Sequence, residues 1–222
     1  MTVSPTSPLS AVPLLAKLDP AILSELESTT QVRRYAGGQV LFSEGDAGDA
    51  LMLLESGMVR VSRFSVSGQE IVLNELAAPA AIGELALIDH QPRSATATAV
   101  GPVVVRWLRS ATFDMLLDRE PALMRDLLES LVSMVRETNE RLTDLLVLDV
   151  AGRLAKWLLK NAASDGCITI DHSQSMLASA LGTSRVTVNR ALSRFERLRL
   201  IAIDGRQVQL LDVDGLRSIA SM

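Results

Sequence analysis

The sequence predicts an α+β chain in three parts: a β sandwich or barrel, one long amphipathic helix, and a winged helix-turn-helix. Three observations carry this reading. Short β-rich runs broken by glycine fill Arg34 to Leu108. A sustained heptad of apolar residues runs from Pro121 to Asp149. A glycine-hinged helical pair, followed directly by two short strands, closes the chain.

In the first part, Val40–Phe42, Leu51–Leu54, Val59–Arg63, Ile71–Leu73 and Val103–Val105 read as strands, with Gly45, Gly48, Gly57 and Gly68 as turns between them. Strands of this length at regular spacing indicate a sandwich or barrel, the jelly roll among the options. Asp46 and Asp49 sit in a loop and read as solvated acids rather than calcium ligands. Ser110–Phe113 opens a helix.

On the long helix, Met124, Leu131, Thr138 and Leu145 recur every seven residues, with Leu127, Met134 and Leu148 on a second seam. Charges lie between the seams, which is the pattern of a two-stranded coiled coil and implies a homodimer. Thr138 is the polar member of the first seam.

In the last part, Ser173 to Leu181 reads as a short helix and Gly182 as its turn. Ser184 then caps a second helix on which Val188, Ala191, Leu192 and Phe195 form the buried stripe. The opposite face offers Arg185, Val186, Asn189 and Arg190 near the helix start, where a recognition helix meets base edges in the major groove. Ile201–Ile203 and Val208–Leu210 flank an Asp204-Gly205 turn, placing Arg206 near a wing tip. The candidate DNA contacts are Ser173, Ser184, Arg185, Val186, Thr187, Asn189, Arg190 and Arg206. The bland alternative is a helical hairpin with a solvated basic face.

Charge agrees with this division. Residues 1–149 carry 12 Lys/Arg against 20 Asp/Glu, whereas residues 150–222 carry 10 against 6, so a net −8 adjoins a net +4. One half is suited to phosphate and the other is not. A single cysteine, Cys167, precludes an internal disulfide, and two histidines without partners do not suggest metal. No apolar window is long enough for a membrane helix and no signal peptide precedes the β region, so residence in the cytoplasm is expected. No nucleophile–base pair or phosphate-transfer loop suggests an enzyme. Residues 1–10, rich in Ser and Pro, are expected to be a disordered tail.

One stretch interrupts the strand rhythm. Gly83-Glu84-Leu85 can begin a helical turn whose free N–H groups attract an anion. Arg93 can supply a bidentate guanidinium and Ser94 a hydroxyl, while Glu84 can accept from a sugar hydroxyl. From chemistry alone two readings stay open, a phosphate site or a surface Glu84–Arg93 ion pair.

Gly83-Glu84-Leu85 with Arg93-Ser94-Ala95 resembles the phosphate-binding cassette of bacterial cyclic-nucleotide-binding domains. Leu148–Ala155 and Thr183–Arg190 resemble the hinge and recognition helix of the catabolite activator protein and fumarate–nitrate regulator (Crp/Fnr) family. The resemblance runs from about Leu14 to about Leu211 in family order. It implies a cyclic-nucleotide-binding jelly roll at 11–115, a dimerisation helix and hinge at 116–149 with Asp149 as the hinge residue, and a winged helix-turn-helix at 150–222. It also implies cyclic AMP as effector, held by Gly83, Glu84, Leu85, Arg93 and Ser94, with Thr138 and Asn139 on the purine. Double-stranded DNA with a palindromic site and RNA polymerase are the implied partners, and neither haem nor an iron–sulfur cluster has the cysteines it would need. The alternatives are a member that is ligand-independent or answers to cyclic GMP or a cyclic dinucleotide, or a nucleotide sensor that acts on a protein partner without DNA.

Two departures from the family pattern stand out. Pro79-Ala80-Ala81 replaces a Gly-Asp-Phe-like turn before the cassette. Val186 stands where activator-like members carry a glutamate that reads cytosine; a valine suits a thymine methyl instead, so the half-site should differ there.

Overall fold

The structure, a computed structural model, describes residues 7–66, 68, 70–170, 177–178 and 180–221. The chain forms two compact units, residues 1–133 and 134–222.

The first unit is built on two four-stranded antiparallel sheets, the jelly-roll option of the sequence reading. One sheet has the order β1 (Gln31–Tyr35), β8 (Val103–Arg109), β3 (Ala50–Ser56), β6 (Ala80–Ile82). The other runs β2 (Val40–Phe42), β7 (Thr96–Ala99), β4 (Met58–Phe64), β5 (Glu70–Ala77). The unbroken apolar run Leu51–Leu54 of β3 follows from its position. Met52 and Leu54 enter the core between the sheets with Val59, Ile82 and Val105. Leu51 and Leu53 face a second cluster with Leu9, Leu15, Leu108 and Phe113. A strand covered on both faces cannot alternate with polar residues.

Helices supply that second layer: α1 (Pro20–Thr29), α2 (Glu84–Ile88), α3 (Ser110–Arg119) and the first turns of α4 (Pro121–Val147). Asp19 caps α1 by accepting from the Ala21 N–H at 2.8 Å, with Pro20 at the first helical position. Two expectations are corrected here. The disordered tail does not extend over its described part, since Pro8–Ala11 form a 3₁₀ turn with Leu9 fully buried. An apolar Leu9-x-x-Val12-x-x-Leu15 spacing gives that segment a core to join, which its Ser and Pro content hid. Leu127 is not on an open seam either: with Leu123 it is buried against the sensor core, 3% and 2% exposed.

Beyond that point α4 presents exposed apolar residues at helical spacing, Leu128, Val132 and Val135, then Leu142 and Leu146, interrupted by the polar Thr138 and Asn139. The helix ends at Val147, and Asp149, the expected hinge, caps the next helix, α5 (Val150–Asn161), by accepting from the Gly152 N–H at 2.8 Å. The long helix starts at Pro121, where its heptad pattern begins, and Glu120 closes α3 as its C-cap.

The second unit has one core, centred on Leu154, Leu158, Val188, Leu192 and Phe195. Its three-stranded sheet has the order β10 (Ile201–Asp204), β11 (Gln207–Leu210), β9 (Cys167–Thr169). Leu177, Ala178 and Ala180 are helical (α6), and α7 (Arg185–Arg197) and α8 (Val213–Ala220) follow. Among the described residues no helix is long and apolar enough to cross a membrane.

Candidate functional site

Two separate surfaces carry the chemistry. The first is built around β6 and α2. Gly83 is the N-cap of α2 at φ 92°, and a Cβ there would run into the Arg93 guanidinium. Glycine is therefore required twice, for the left-handed backbone and for the close approach. Arg93 is 3% exposed, and its guanidinium donates to the Gly83 carbonyl at 2.7 Å and to the Ala50 carbonyl at 2.6 Å. It lies over the Phe42 ring at 4.5 Å. Its Nε has no hydrogen-bond partner among the described residues.

The alternative reading of a surface Glu84–Arg93 ion pair does not hold. Arg93 is buried, and its carboxylate neighbour is Asp49 at 3.7 Å, on a side chain 69% exposed. The loop that holds Asp49 is more than a solvated connection. Its backbone is tied down: the Asp46 carbonyl accepts from the Arg93 N–H at 2.8 Å, the Arg93 carbonyl from the Gly45 N–H at 2.9 Å, and the Asp49 carbonyl from the Ser110 N–H at 2.9 Å. Burial lowers the Arg93 pKa, with Asp49, Glu84 and Asp46 opposing. Burial likewise raises the Glu84 carboxyl above its usual range, against its own backbone N–H, that of Gly83, and the Arg93 charge. Asp49, Glu84 and Asp46 thus surround a guanidinium that burial has stripped of most of its water. Leu85 and Ser94 are exposed beside it.

Gly83, Glu84, Leu85, Arg93 and Ser94 are thus gathered in the first unit. Thr138 and Asn139 belong to the second unit, both exposed on α4. The Thr138 hydroxyl donates to the Met134 carbonyl at 2.8 Å, and the Asn139 carbonyl accepts from the Thr143 hydroxyl at 2.9 Å. Phe42, Asp49 and the Ala50 carbonyl were missed by the sequence reading. A backbone carbonyl leaves no mark in a sequence, and only the turn glycines Gly45 and Gly48 pointed to this loop.

The second surface is α7 and the strand pair after it. Gly182 sits at φ 61° and the Thr183 N–H reaches the Ala178 carbonyl at 2.9 Å, the six-to-one closure that ends a helix on a left-handed residue. Ser184 then caps α7, accepting from the Thr187 N–H at 3.2 Å with the two hydroxyls 2.9 Å apart. Val188, Leu192 and Phe195 are buried. Arg185, Val186 and Arg190 are exposed, with Thr187 and Asn189 half-buried. Val186 shows 59% of its surface, a valine that no core explains. Asp204 pairs with Gln207 across a two-residue turn that carries Arg206 at its tip. Ser173 lies outside the described residues, as does most of the helix expected there. Among the described residues no group of three or more His, Cys, Asp or Glu is placed to hold a metal.

Comparison with known proteins matches a domain on each side of the long helix. The model of the cyclic nucleotide-binding domain matches residues 32–120, and that of the Crp-like helix-turn-helix domain residues 152–219. A Mycobacterium tuberculosis protein described as a CRP-like cAMP-activated global transcriptional regulator is 33% identical over 207 residues, 90% of this chain and 92% of its own length. The crystal structure of Thermus thermophilus catabolite activator protein is 31% identical with a TM-score of 0.55, over 94% of this chain and 98% of that one. The c-di-GMP responsive global regulator CLP of Xanthomonas campestris, 20% identical, shares the fold at a TM-score of 0.71 over 86% of this chain and 99% of that one. The sensor cassette, the capped recognition helix and its wing therefore stand in one established order, and the chain belongs to the Crp/Fnr family of transcription regulators, a cyclic nucleotide-binding domain followed by a Crp-like DNA-binding helix-turn-helix.

Proposed function

We propose that this chain is a homodimeric, sequence-specific regulator whose affinity for a palindromic DNA site is set by a cyclic nucleotide, cyclic AMP first among them. One observation carries the effector reading: the Arg93 guanidinium, buried with an unpartnered Nε beside the start of α2. A cyclic phosphate supplies the missing charge, and Glu84 accepts from the ribose. Thr138 and Asn139 take the base, the role their likeness to family positions assigns. Cyclic AMP is favoured because the Mycobacterium tuberculosis relative is described as cAMP-activated.

The dimer reading rests on the apolar stripe of α4 from Leu128 onward, whose spacing is that of a two-stranded seam. Two recognition helices on such a dimer read half-sites one turn of DNA apart, about 34 Å. The chain acts in the cytoplasm, by regulation rather than catalysis, with RNA polymerase as its further partner. A nucleotide that prefers one state a hundredfold shifts the balance by about 2.7 kcal/mol per site, enough to switch occupancy.

A second reading is favoured by the bonds Arg93 already makes. Its two arms are held by the Gly83 and Ala50 carbonyls, so a phosphate must add to or displace them. Pro79-Ala80-Ala81 also reshapes the approach to the cassette. Both points suit a member that is ligand-independent or takes cyclic GMP or a cyclic dinucleotide.

Calorimetry against cyclic AMP, cyclic GMP and cyclic di-GMP separates the readings. Wild-type protein should bind one of them, and Arg93→Ala should abolish that binding while sedimentation still shows a dimer. Normal nucleotide affinity in Arg93→Ala removes Arg93 from the site.

A further inference from the structure

Within the second unit one side chain makes a connection that the recognition surface itself does not require. Arg153, half-buried on α5, donates from Nε to the Leu181 carbonyl at 2.9 Å and from its terminal amine to the Leu148 carbonyl at 2.6 Å. Leu148 closes the last turn of α4, its N–H on the Asp144 carbonyl at 3.0 Å. Leu181 closes the last turn before Gly182, its N–H on the Leu177 carbonyl at 3.0 Å. The final carbonyls of a helix have no partner within it and carry the negative end of its dipole. One guanidinium thus caps two helices, a geometry its planar fork permits and a lysine's point charge does not.

Other contacts run along the same line. A Cβ on Gly182 would lie 2.7 Å from Leu145 Cδ2, so the α4 side chain rests against the turn itself. Lys156 Nζ on α5 meets Asp144 of α4 at 2.7 Å. The turn that Arg153 grips leads within two residues to Ser184, the cap of α7.

We propose that Arg153 is the positioning residue of DNA reading: by tying the Leu148 and Leu181 carbonyls together, it makes the Gly182 turn and the start of α7 follow the end of α4. Loosening it leaves both helices formed but frees the recognition helix to tilt, which weakens base contacts more than phosphate contacts. Insofar as a nucleotide sets the pose of α4, Arg153 also carries that signal, and this part rests on the function proposed above.

The test uses the full-length chain, with Arg153→Gln and Arg153→Lys. Affinity is measured for a site selected from random sequence by the wild-type protein and for random DNA, with and without cyclic AMP, alongside calorimetry and hydrogen exchange. Arg153→Gln should keep its nucleotide affinity and cooperative melting. Its preference for the selected site over random DNA should fall about tenfold or more, as expected when charge-assisted bonds are lost. The Thr183 amide, bonded to Ala178, should exchange faster. Arg153→Lys, able to hold one carbonyl at a time, should fall between, and it decides the matter if the glutamine variant does not fold. Wild-type site preference and exchange in a folded variant overturn the proposal, as does an equal loss on both DNAs. Should wild-type protein bind no nucleotide, the effector reading fails, while site preference and Thr183 exchange still decide the role of Arg153.

Discussion

Glu84 and Arg199 illustrate opposite uses of a costly residue. Burial raises the Glu84 carboxyl, so the folded state favours its protonated form. Its contribution to stability is complete below the unfolded value of about 4.3 and is lost as pH rises through the raised folded value. Glu84→Gln should therefore gain stability relative to wild type between acid and neutral pH, read as a widening difference in melting temperature. An unchanged difference across that range would mean the carboxyl titrates normally. Retaining an ionisable group at such a cost suits a site in which the charged form accepts a ligand hydroxyl. Arg199 is strained without that benefit. It closes α7 at φ 56°, with the Leu200 N–H on the Phe195 carbonyl at 3.0 Å. Only glycine takes that conformation freely, so Arg199→Gly should add about 0.5–1 kcal/mol of stability, read as a higher urea midpoint.

At the level of elements, α4 does two jobs along one apolar pattern. Its first turns bury Leu123 and Leu127 in the sensor core, and its later turns expose Leu128, Val135 and Leu142. The two stretches should answer differently to mutation. Leu127→Ala should cost about 2–5 kcal/mol of stability by opening a cavity. Val135→Asp should cost the monomer little but convert a dimer to monomer in sedimentation, because a charge on the seam has no partner there. A dimer that survives Val135→Asp would place the interface elsewhere. Asp149 starts α5 and Ser184 starts α7, each by accepting a first-turn N–H that no helical carbonyl would satisfy.

On the scale of the molecule, an acidic sensor half is joined to a basic DNA-reading half. Arg185, Arg190 and Arg206 stand on the recognition helix and wing, six such arginines in the proposed dimer. If all six contact phosphate, the logarithm of DNA affinity should fall with the logarithm of salt at a slope of about −5, and each that reads a base instead makes it shallower by about one. Filter binding or anisotropy from low to physiological salt measures it, and a flat response would remove the arginines from the interface. Division of labour by charge also keeps the sensor from competing for the same polyanion, since net −8 repels phosphate.

Much of this was legible in residues alone. The order of parts, the strand runs, the Gly182 turn, the Ser184 cap and the buried stripe of α7 each follow from local rules: periodicity, capping and positive φ. These act within a few residues, and the sequence therefore determined them by itself. What it left open involves partners distant along the chain. Whether Arg93 met Glu84 or a ligand, which apolar residues of α4 faced inward, and what Leu9 packed against all depended on tertiary neighbours. The Ala50 carbonyl beneath Arg93 and the Leu148 and Leu181 carbonyls around Arg153 could not be read at all. Every residue carries an identical carbonyl, and only folding decides which of them a guanidinium will find.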